Sequence, residues 1–288
     1  MKNIFMVICI VLATAVLTAT GCSRKTAGSG SIQIKGSDTM VNLGQAWAEA
    51  FMKKQPGASV AVTGGGSGTG IAALINGTAD ISESSRAIKP EEIEQAKKNG
   101  VTPVELIVGY DGIAVVVHPG NPVTTLTINQ LADIFSGKIT NWSDIGGQEG
   151  KIVVLSREVN SGTHVYFKEH VLNDGDSKGS VEFSPSALLM PSSQAIADEV
   201  AQNRAALGYY GMGYISSRQK ALKIASDDGS EPVEPTPENV VSKKYPVSRP
   251  LFMYTNGEPE GLAKEFMDFV LSPEGQEIVG KLDFVPVK

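Results

Sequence analysis

The chain has 288 residues, of which 41% are hydrophobic and 19% are charged, and its formal net charge at pH 7 is −6. This composition is ordinary for a soluble globular protein. The negative charge argues against a surface that binds nucleic acid, although local dipoles and one arginine can still hold a small anion.

The first 21 residues have the pattern of a secretory signal peptide, with a positive Lys2, an apolar stretch and small residues up to Gly21. The apolar stretch is too short and wrongly flanked to be a membrane-spanning helix. Cys22, which follows, resembles the lipid-modified residue of bacterial lipoproteins; ordinary secretion with cleavage nearby is the alternative. We expect residues 1–21 to be removed and residues 22–30 to form a lipidated N terminus and a flexible tether.

Cysteine and histidine chemistry is not expected in the mature protein. The two cysteines are Cys9, inside the signal, and Cys22, so no disulfide, thiolate metal site or cysteine nucleophile is predicted. His164 and His170 are six residues apart, which does not place both on one helix face for a metal. His164 follows Thr163 directly and is a candidate for contact with a ligand, but we expect it to lie on a helix surface.

Predicted strands and helices alternate from residue 32 onward. The strands of the first body are predicted at residues 32–35, 59–63, 79–82 and 104–108. Helices are predicted between them, beginning near Leu43, Ile71 and Pro90. This order predicts a parallel sheet with both faces covered, which is the α/β class.

A second body follows an unusually apolar run at residues 113–117. The later predicted elements are a helix with Leu131, Ile134 and Phe135 on one face, a strand at 152–155, a helix at 194–203, a strand at 251–254 and a final helix ending near Ser272. We predict that residues 31–111 plus 251–288 form lobe 1 and residues 112–250 form lobe 2. A ligand cleft is expected where the carboxyl ends of the strands face each other.

The most informative segment is Asn160-Ser161-Gly162-Thr163, which follows Arg157 and opens a predicted helix. A helix start has free backbone N–H groups, and the helix dipole favours a negative charge there. Arg157 adds a planar group that can bind two oxygens of an oxyanion. The segment therefore predicts an anion site.

Two further segments repeat this pattern, Gly36-Ser37-Asp38-Thr39 and the glycine-rich run at residues 64–70. The run is not the phosphate loop of nucleotide hydrolases, because Ile71 and Ala72 stand where a lysine and a hydroxyl would follow. It also matches the dinucleotide-binding pattern poorly, because the acidic residues that follow lie in a helical pattern. Three hydroxyl-rich helix starts predict one small tetrahedral anion surrounded by neutral donors.

Ser67 and Ser161 are the candidate nucleophiles of the sequence. The glycine–x–serine–x–glycine elbow of serine hydrolases is absent, because Thr69 stands at the required place after Ser67. The sequence shows neither an activated nucleophile nor a metal-ligand cluster, and no cofactor is predicted. We expect a binding protein and not an enzyme.

Four stretches together resemble the phosphate-binding proteins of bacterial ABC transporters, which are two-lobed extracytoplasmic solute receptors. Three of them are the segments described above, which here cover residues 36–40, 64–70 and 156–163. The fourth is residues 131–142, which has no evident binding chemistry. The resemblance spans residues 31–288. It implies the type II periplasmic-binding-protein fold, with two parallel-type sheets, covering helices and two hinge crossings.

The resemblance also implies site residues. The implied phosphate ligands are Ser37, Asp38, Thr39, Ser67, Gly68, Ser85, Arg86, Arg157, Ser161, Gly162 and Thr163. Family members carry an acceptor aspartate after the third strand, where Ser85 and Arg86 stand here. We predict that Asp38 accepts the proton that phosphate keeps at neutral pH, with Arg86 contributing or pairing with it. The alternative is that Asp38 only N-caps the following helix.

The implied function is a receptor that captures inorganic phosphate by closing its cleft and then docks on a membrane permease. Its expected partners are phosphate, the permease subunits and the membrane through the lipid anchor; a monomer without nucleic acid is expected. Three alternatives stay open. They are a receptor of the same fold for sulfate, molybdate or tungstate, an enzyme that acts on phosphate esters, and a surface adhesin or signalling lipoprotein that uses its outer face.

Overall fold

The structure is a computed structural model, and it describes residues 30–287. The predicted signal peptide and Cys22 lie outside these residues. Within the described range the strands are β1 (Gly30–Gly36), β2 (Ala58–Thr63), β3 (Ile81–Ser84), β4 (Pro103–Val117), β5 (Thr125–Thr127), β6 (Val153–Arg157), β7 (Leu188–Met190), β8 (Ala206–Gly211), β9 (Lys220–Ala221), β10 (Lys223–Ala225) and β11 (Ser248–Asn256). The α-helices there are α1 (Val41–Lys54), α2 (Ser67–Ile75), α3 (Pro90–Lys98), α4 (Ile128–Ser136), α5 (Gly162–Phe167), α6 (Ser193–Gln202), α7 (Pro237–Val241), α8 (Gly261–Val270) and α9 (Pro273–Lys281).

The main sheet has the strand order β2-β1-β3-β11-β4-β8-β6-β7. The strands β1, β2 and β3 are parallel, as predicted, but β11 is antiparallel to both β3 and β4. The α/β class is therefore confirmed, with a mixed sheet in place of the predicted purely parallel ones. A returning strand that enters from the second body must run against its neighbours, which accounts for this difference.

The strand β4 joins the two halves of the sheet. Residues 103–112 pair with β11, and residues 113–117 pair with β8. The sequence predicted two strands here, because Asp111 and Gly112 interrupt the apolar pattern. In the structure the strand continues through them, because Asp111 is buried opposite Arg249 of β11 and forms an ion pair with it.

Two large apolar cores lie on either side of this crossing. One contains buried residues between Ile32 and Val108 together with residues between Leu251 and Phe284. The other contains residues between Ile113 and Val247 together with Val285. Val285, which comes from the segment predicted for lobe 1, packs in the second core, because its backbone pairs with Tyr110 at the crossing.

Helix α2 begins at Ser67, inside the glycine-rich run and before the predicted start at Ile71. The run can be helical because Gly70 lets α2 approach the end of β1. A Cβ on Gly70 would lie 2.3 Å from the carbonyl oxygen of Lys35, a contact that only glycine avoids. The packing against β1 therefore overrides the low helix propensity of the glycines.

The sequence predicted that the final helix ends near Ser272, but the structure has a further helix after this residue. Pro273 occupies the first turn of a further helix, α9, and the Ser272 hydroxyl accepts a hydrogen bond from the Gly275 N–H at 3.2 Å. Proline is tolerated at this position, so the same residue that stops α8 begins α9. The predicted Ser192 cap of α6 is present, with its hydroxyl 3.0 Å from the Ala195 nitrogen.

Glu83 of β3 is fully buried, and its carboxylate has no hydrogen-bond partner among the described residues. It faces α1, where a Cβ on Gly44 would lie 2.3 Å from Oε1. Burial raises the pKa of Glu83 well above its usual value, because the ionised form is poorly solvated there. The folded protein therefore holds this proton over a pH range in which the unfolded chain has lost it.

We predict that Glu83→Gln removes a pH-dependent cost of folding. Because the folded pKa is raised, the wild type loses about 1.4 kcal/mol of stability per pH unit as the pH rises from the unfolded pKa to the folded pKa. The variant stays neutral, so its free energy of unfolding lacks this decline. Denaturant titrations from about pH 5 to about pH 8 measure the free energy of unfolding of the wild type and the variant. The exposed Glu258→Gln is the control, and parallel profiles of wild type and E83Q would contradict the prediction.

Candidate functional site

Hydroxyl groups from four segments meet between the two cores. We call Ser37, Thr39, Ser67, Ser85 and Thr163 the hydroxyl cluster, and all five are buried. The Ser37 hydroxyl donates to the Ser85 oxygen at 2.9 Å, and the Ser67 oxygen lies 3.3 Å from that of Ser85. The hydroxyl oxygens of Thr39 and Thr163 are 2.9 Å apart. The structure thus brings the predicted segments together from distant parts of the chain.

Two helices begin at the hydroxyl cluster. Helix α2 starts at Ser67 and α5 starts at Gly162, and a Cβ on Gly162 would lie 2.4 Å from the Ser67 oxygen. Ser161 caps α5 and accepts a hydrogen bond from the His164 N–H at 3.4 Å. The positive ends of two helix dipoles therefore meet at one point, which favours an anion there.

Arg157, which is buried, and Asp38, which is partly buried, form an ion pair across the two bodies. The Arg157 Nη2 donates to Asp38 Oδ2 at 2.7 Å, and Asp38 Oδ1 accepts from the Gly65 N–H at 3.0 Å. Further Arg157 donors are held by Met190, Pro191 and Ser193. Counted over residues 30–287, four of the five N–H groups of Arg157 have partners, and one on Nη1 is left for a ligand.

Asp38 does not cap α1. The residue before that helix is Met40, and no side chain accepts from its first turn. The alternative offered for Asp38 is therefore wrong. Its carboxylate instead holds the glycine-rich run and Arg157 in place. Arg157 is 119 residues from Asp38 in the chain.

The predicted pairing of Arg86 with Asp38 is also wrong. The Arg86 guanidinium donates to both carboxylate oxygens of Glu92, at 2.7 Å and 2.8 Å, and to the Ala87 carbonyl oxygen. Burial opposes the ionisation of Glu92, but the hydrogen bonds from Arg86 and from the Lys89 backbone lower its pKa overall. The Arg86 Nε is buried and has no hydrogen-bond partner among the described residues, so this pair leaves a donor of Arg86 open.

Gly68, another predicted ligand, has its N–H engaged by the protein. It donates to the Asn160 carbonyl oxygen at 2.9 Å. The Asn160 side chain donates in turn to the Gly65 carbonyl oxygen at 2.8 Å and to the Thr69 hydroxyl at 3.1 Å. We call these three contacts the Asn160 clasp. It ties the segment before α5 directly to the glycine-rich run.

Arg249 is a site residue that the sequence analysis missed. Its side chain is fully buried and is paired with Asp111, with Nη2 2.9 Å from Oδ2. It also donates to the hydroxyls of Thr39 and Thr163 and to the Ser85 carbonyl oxygen. Burial lowers the pKa of Arg249 and raises that of Asp111, while each charge opposes the shift of the other. The available signal was a pair of opposite charges inside two apolar strand patterns.

His164 is buried, so the prediction that it lies on a helix surface is wrong. Its Nδ1 is 3.2 Å from the Ser156 hydroxyl, and its ring packs against Phe183 at 4.5 Å between centroids. Burial lowers the pKa of His164 to about 4, so the ring is neutral at pH 7. Its neighbours place it in the core of the second body.

Comparisons with known proteins agree with this geometry. A family model described as a PBP superfamily domain matches residues 23–274. The phosphate-binding protein PstS of Pseudomonas aeruginosa is 33% identical over 276 residues, which are 90% of this chain and 84% of that protein. PstS of Bacillus subtilis is 32% identical and covers all of this chain and 95% of its own length. The chain belongs to the PstS family of phosphate-binding proteins.

A solved structure of this family holds its ligand. It is a putative phosphate ABC transporter substrate-binding protein from Clostridium perfringens with bound phosphate. It is 38% identical to this chain, covers 90% of it and 100% of its own length, and has a TM-score of 0.80. The two-lobed architecture is therefore that of the PstS family. Over residues 30–287, no three His, Cys, Asp or Glu side chains of this PstS-family chain are grouped to hold a metal ion.

We predict that Asn160→Ala separates the lobes of this PstS-family protein. The variant loses two side-chain hydrogen bonds of the Asn160 clasp, which destabilises the closed form by about 1–3 kcal/mol. Small-angle X-ray scattering at a phosphate concentration that half-saturates the wild type should show a larger radius of gyration for the variant. The exposed Asn42→Ala of α1 is the control. Superimposable scattering of wild type and N160A would contradict the prediction.

Proposed function

We propose that this protein is an extracytoplasmic receptor that captures inorganic phosphate by cleft closure and delivers it to an ABC importer. The observation that carries the proposal is the hydroxyl cluster, in which buried donors from both bodies meet at two helix starts. The family membership supports the same ligand. The protein works by binding, and no chemical step is required of it.

The proposed ligands are neutral donors, arginine groups and one acceptor carboxylate. They are the hydroxyl cluster of Ser37, Thr39, Ser67, Ser85 and Thr163, together with Asp38, Arg157, Ser161 and Gly162. A tetrahedral anion has oxygens in all directions, so donors from one body alone cannot surround it. We leave Gly68 out, because its N–H donates to the Asn160 carbonyl oxygen. Arg86 stays a proposed ligand, because its buried Nε has no partner among the described residues although Glu92 holds its other side.

Closure follows from this division of donors. The Thr39 hydroxyl belongs to one body and the Thr163 hydroxyl to the other, so an anion binds both only when the cleft is shut. Closure also removes water, so buried donors need a partner. The anion supplies acceptors to both sides, and the closed form is then recognised by the permease.

Selectivity for phosphate is assigned to Asp38. Phosphate keeps at least one proton at neutral pH and sulfate keeps none, so a carboxylate in the site can accept a hydrogen bond only from phosphate. The carboxylate of Asp38 already accepts from Arg157 and Gly65, and each of its oxygens has a second lone pair. The ion pair with Arg157 holds the carboxylate in place.

We predict that phosphate binds at least about tenfold more tightly than sulfate, molybdate or tungstate, a difference of about 1.4 kcal/mol. Isothermal titration calorimetry against the four anions measures it. Preference for another oxyanion would instead favour the same fold with a different ligand. Turnover of a chromogenic phosphate ester by the purified protein would favour the enzyme alternative.

Asp38→Asn is the matched variant in the same titration. The amide removes the acceptor charge and leaves Arg157 uncompensated, so phosphate affinity should fall while sulfate affinity rises relative to it. An unchanged ratio of the two affinities would remove Asp38 from the acceptor role. The ratio is used because a general loss of folding lowers both affinities together.

We also propose that the protein is a monomer held at the membrane by a lipid on Cys22. Over residues 30–287, no helix is both long and apolar enough to cross a bilayer. The support for the anchor is the sequence pattern before Cys22 and the polar tether after it. The mass of the mature protein should show a diacylated N terminus at Cys22, and Cys22→Ser should release the protein from membranes. A mature N terminus without lipid would contradict the anchor.

A further inference from the structure

A second cavity, separate from the hydroxyl cluster, lies where the two bodies meet beside β11. Its volume is about 290 Å³, at the small end of the range for ligand pockets. The connection from β3 to α3 forms one wall, and α5 with the π-helical turn Lys168–Leu172 forms the other. Within residues 30–287, Arg86 is the only residue that this cavity shares with the proposed phosphate ligands.

Arg249 lies between the cavity and the hydroxyl cluster. Its Nη2 contacts the hydroxyls of Thr39 and Thr163 on the cluster side. Its guanidinium carbon is 5.8 Å from the ring centre of Tyr166, which lines the cavity. The cavity is therefore a distinct space that adjoins the phosphate site.

Lys89 and Glu169 each bring a charge to this cavity, and they come from different bodies. Lys89 precedes α3, and Glu169 lies in the turn after α5. Both residues are half-buried, and neither forms an ion pair with another residue in the range 30–287. The nearby Glu92 is held on both oxygens by Arg86. One positive and one negative group are thus open to a ligand that carries both charges.

Much of the remaining lining is apolar or aromatic. The His170 ring is stacked on the Tyr166 ring, with 3.7 Å between centroids and 10° between planes. The Tyr166 hydroxyl donates to the Ser248 carbonyl oxygen, which ties this pair to β11. Phe252 of β11 is buried and also lines the cavity. An apolar group in this space gains packing contacts that an empty cavity lacks.

A ligand in this cavity contacts both bodies. Tyr166 packs against the core of the second body, and Phe252 packs with Leu74 and Tyr254 of the first. Such a ligand binds the closed form better than the open form and so stabilises closure. Two ligands that both favour the closed form raise each other's affinity by the same factor.

We propose that this cavity binds an amino acid with an apolar side chain, which acts as an effector of phosphate capture. Lys89 binds the carboxylate of the amino acid, and Glu169 binds its ammonium group. Its side chain packs against Tyr166, His170 and Phe252. The small volume suits a single amino acid and not a peptide or a nucleotide. The coupling to phosphate rests on the proposed function, whereas binding in the cavity does not.

The test is isothermal titration calorimetry of the protein with L-leucine and L-phenylalanine, with and without saturating phosphate. Each amino acid is compared with the analogue that lacks its amine and the analogue that lacks its carboxylate. At least one amino acid should bind about tenfold or more tightly than both of its analogues, which lose a charge-assisted hydrogen bond. Phosphate should raise that affinity about fivefold or more. Absence of binding by both amino acids, or equal affinity for the analogues, would overturn the inference.

Glu169→Gln and Lys89→Met each remove one of the two charges. Both variants should weaken amino-acid binding about tenfold and keep the phosphate affinity of the amino-acid-free protein. The exposed Glu149→Gln of the second body is the control and should keep both affinities. Wild-type amino-acid affinity in E169Q or in K89M would overturn the inference. A protein that binds the amino acid and no phosphate would overturn the proposed function and leave this site in place.

Discussion

The structure depends on one constraint, which is that buried hydroxyl and guanidinium groups in a closed cleft are costly to leave without partners. Leaving such a group unpaired costs on the order of 1–3 kcal/mol. Here Thr39, Thr163 and Arg249 satisfy one another, and Ser37, Ser67 and Ser85 form a second connected group. An anion that enters must replace these contacts with better ones. The site therefore favours a ligand with many acceptors and little need of donors.

Charge is balanced in the same way. Each of the two arginines at the cluster has its own carboxylate, Asp38 for Arg157 and Asp111 for Arg249. A buried charge without a partner is costly, so these pairs let guanidinium donors lie deep in the cleft. The ligand is then attracted by hydrogen bonds and helix dipoles, which depend on geometry more than on total charge. This is consistent with a receptor whose net charge is negative.

Local signals in the sequence predicted much of the fold and part of the site. The cap of α5 at Ser161, the cap of α6 at Ser192 and the alternation of strand and helix depend on neighbouring residues, and the structure has them. What the sequence could not provide were partners far apart in the chain. Arg249 is 138 residues from Asp111, and Arg157 is 119 from Asp38. Pairing at these distances is decided by how β4 and β11 cross, and no short pattern records it.

The central claim is that hydroxyls of both bodies surround one oxyanion, and a crystal structure of the protein grown with phosphate tests it most directly. The account predicts tetrahedral density within hydrogen-bond distance of the Ser67 and Thr163 hydroxyls, with one Arg157 nitrogen in contact. Density for the anion at any other place, with the hydroxyl cluster still bonded only to itself, would contradict the account.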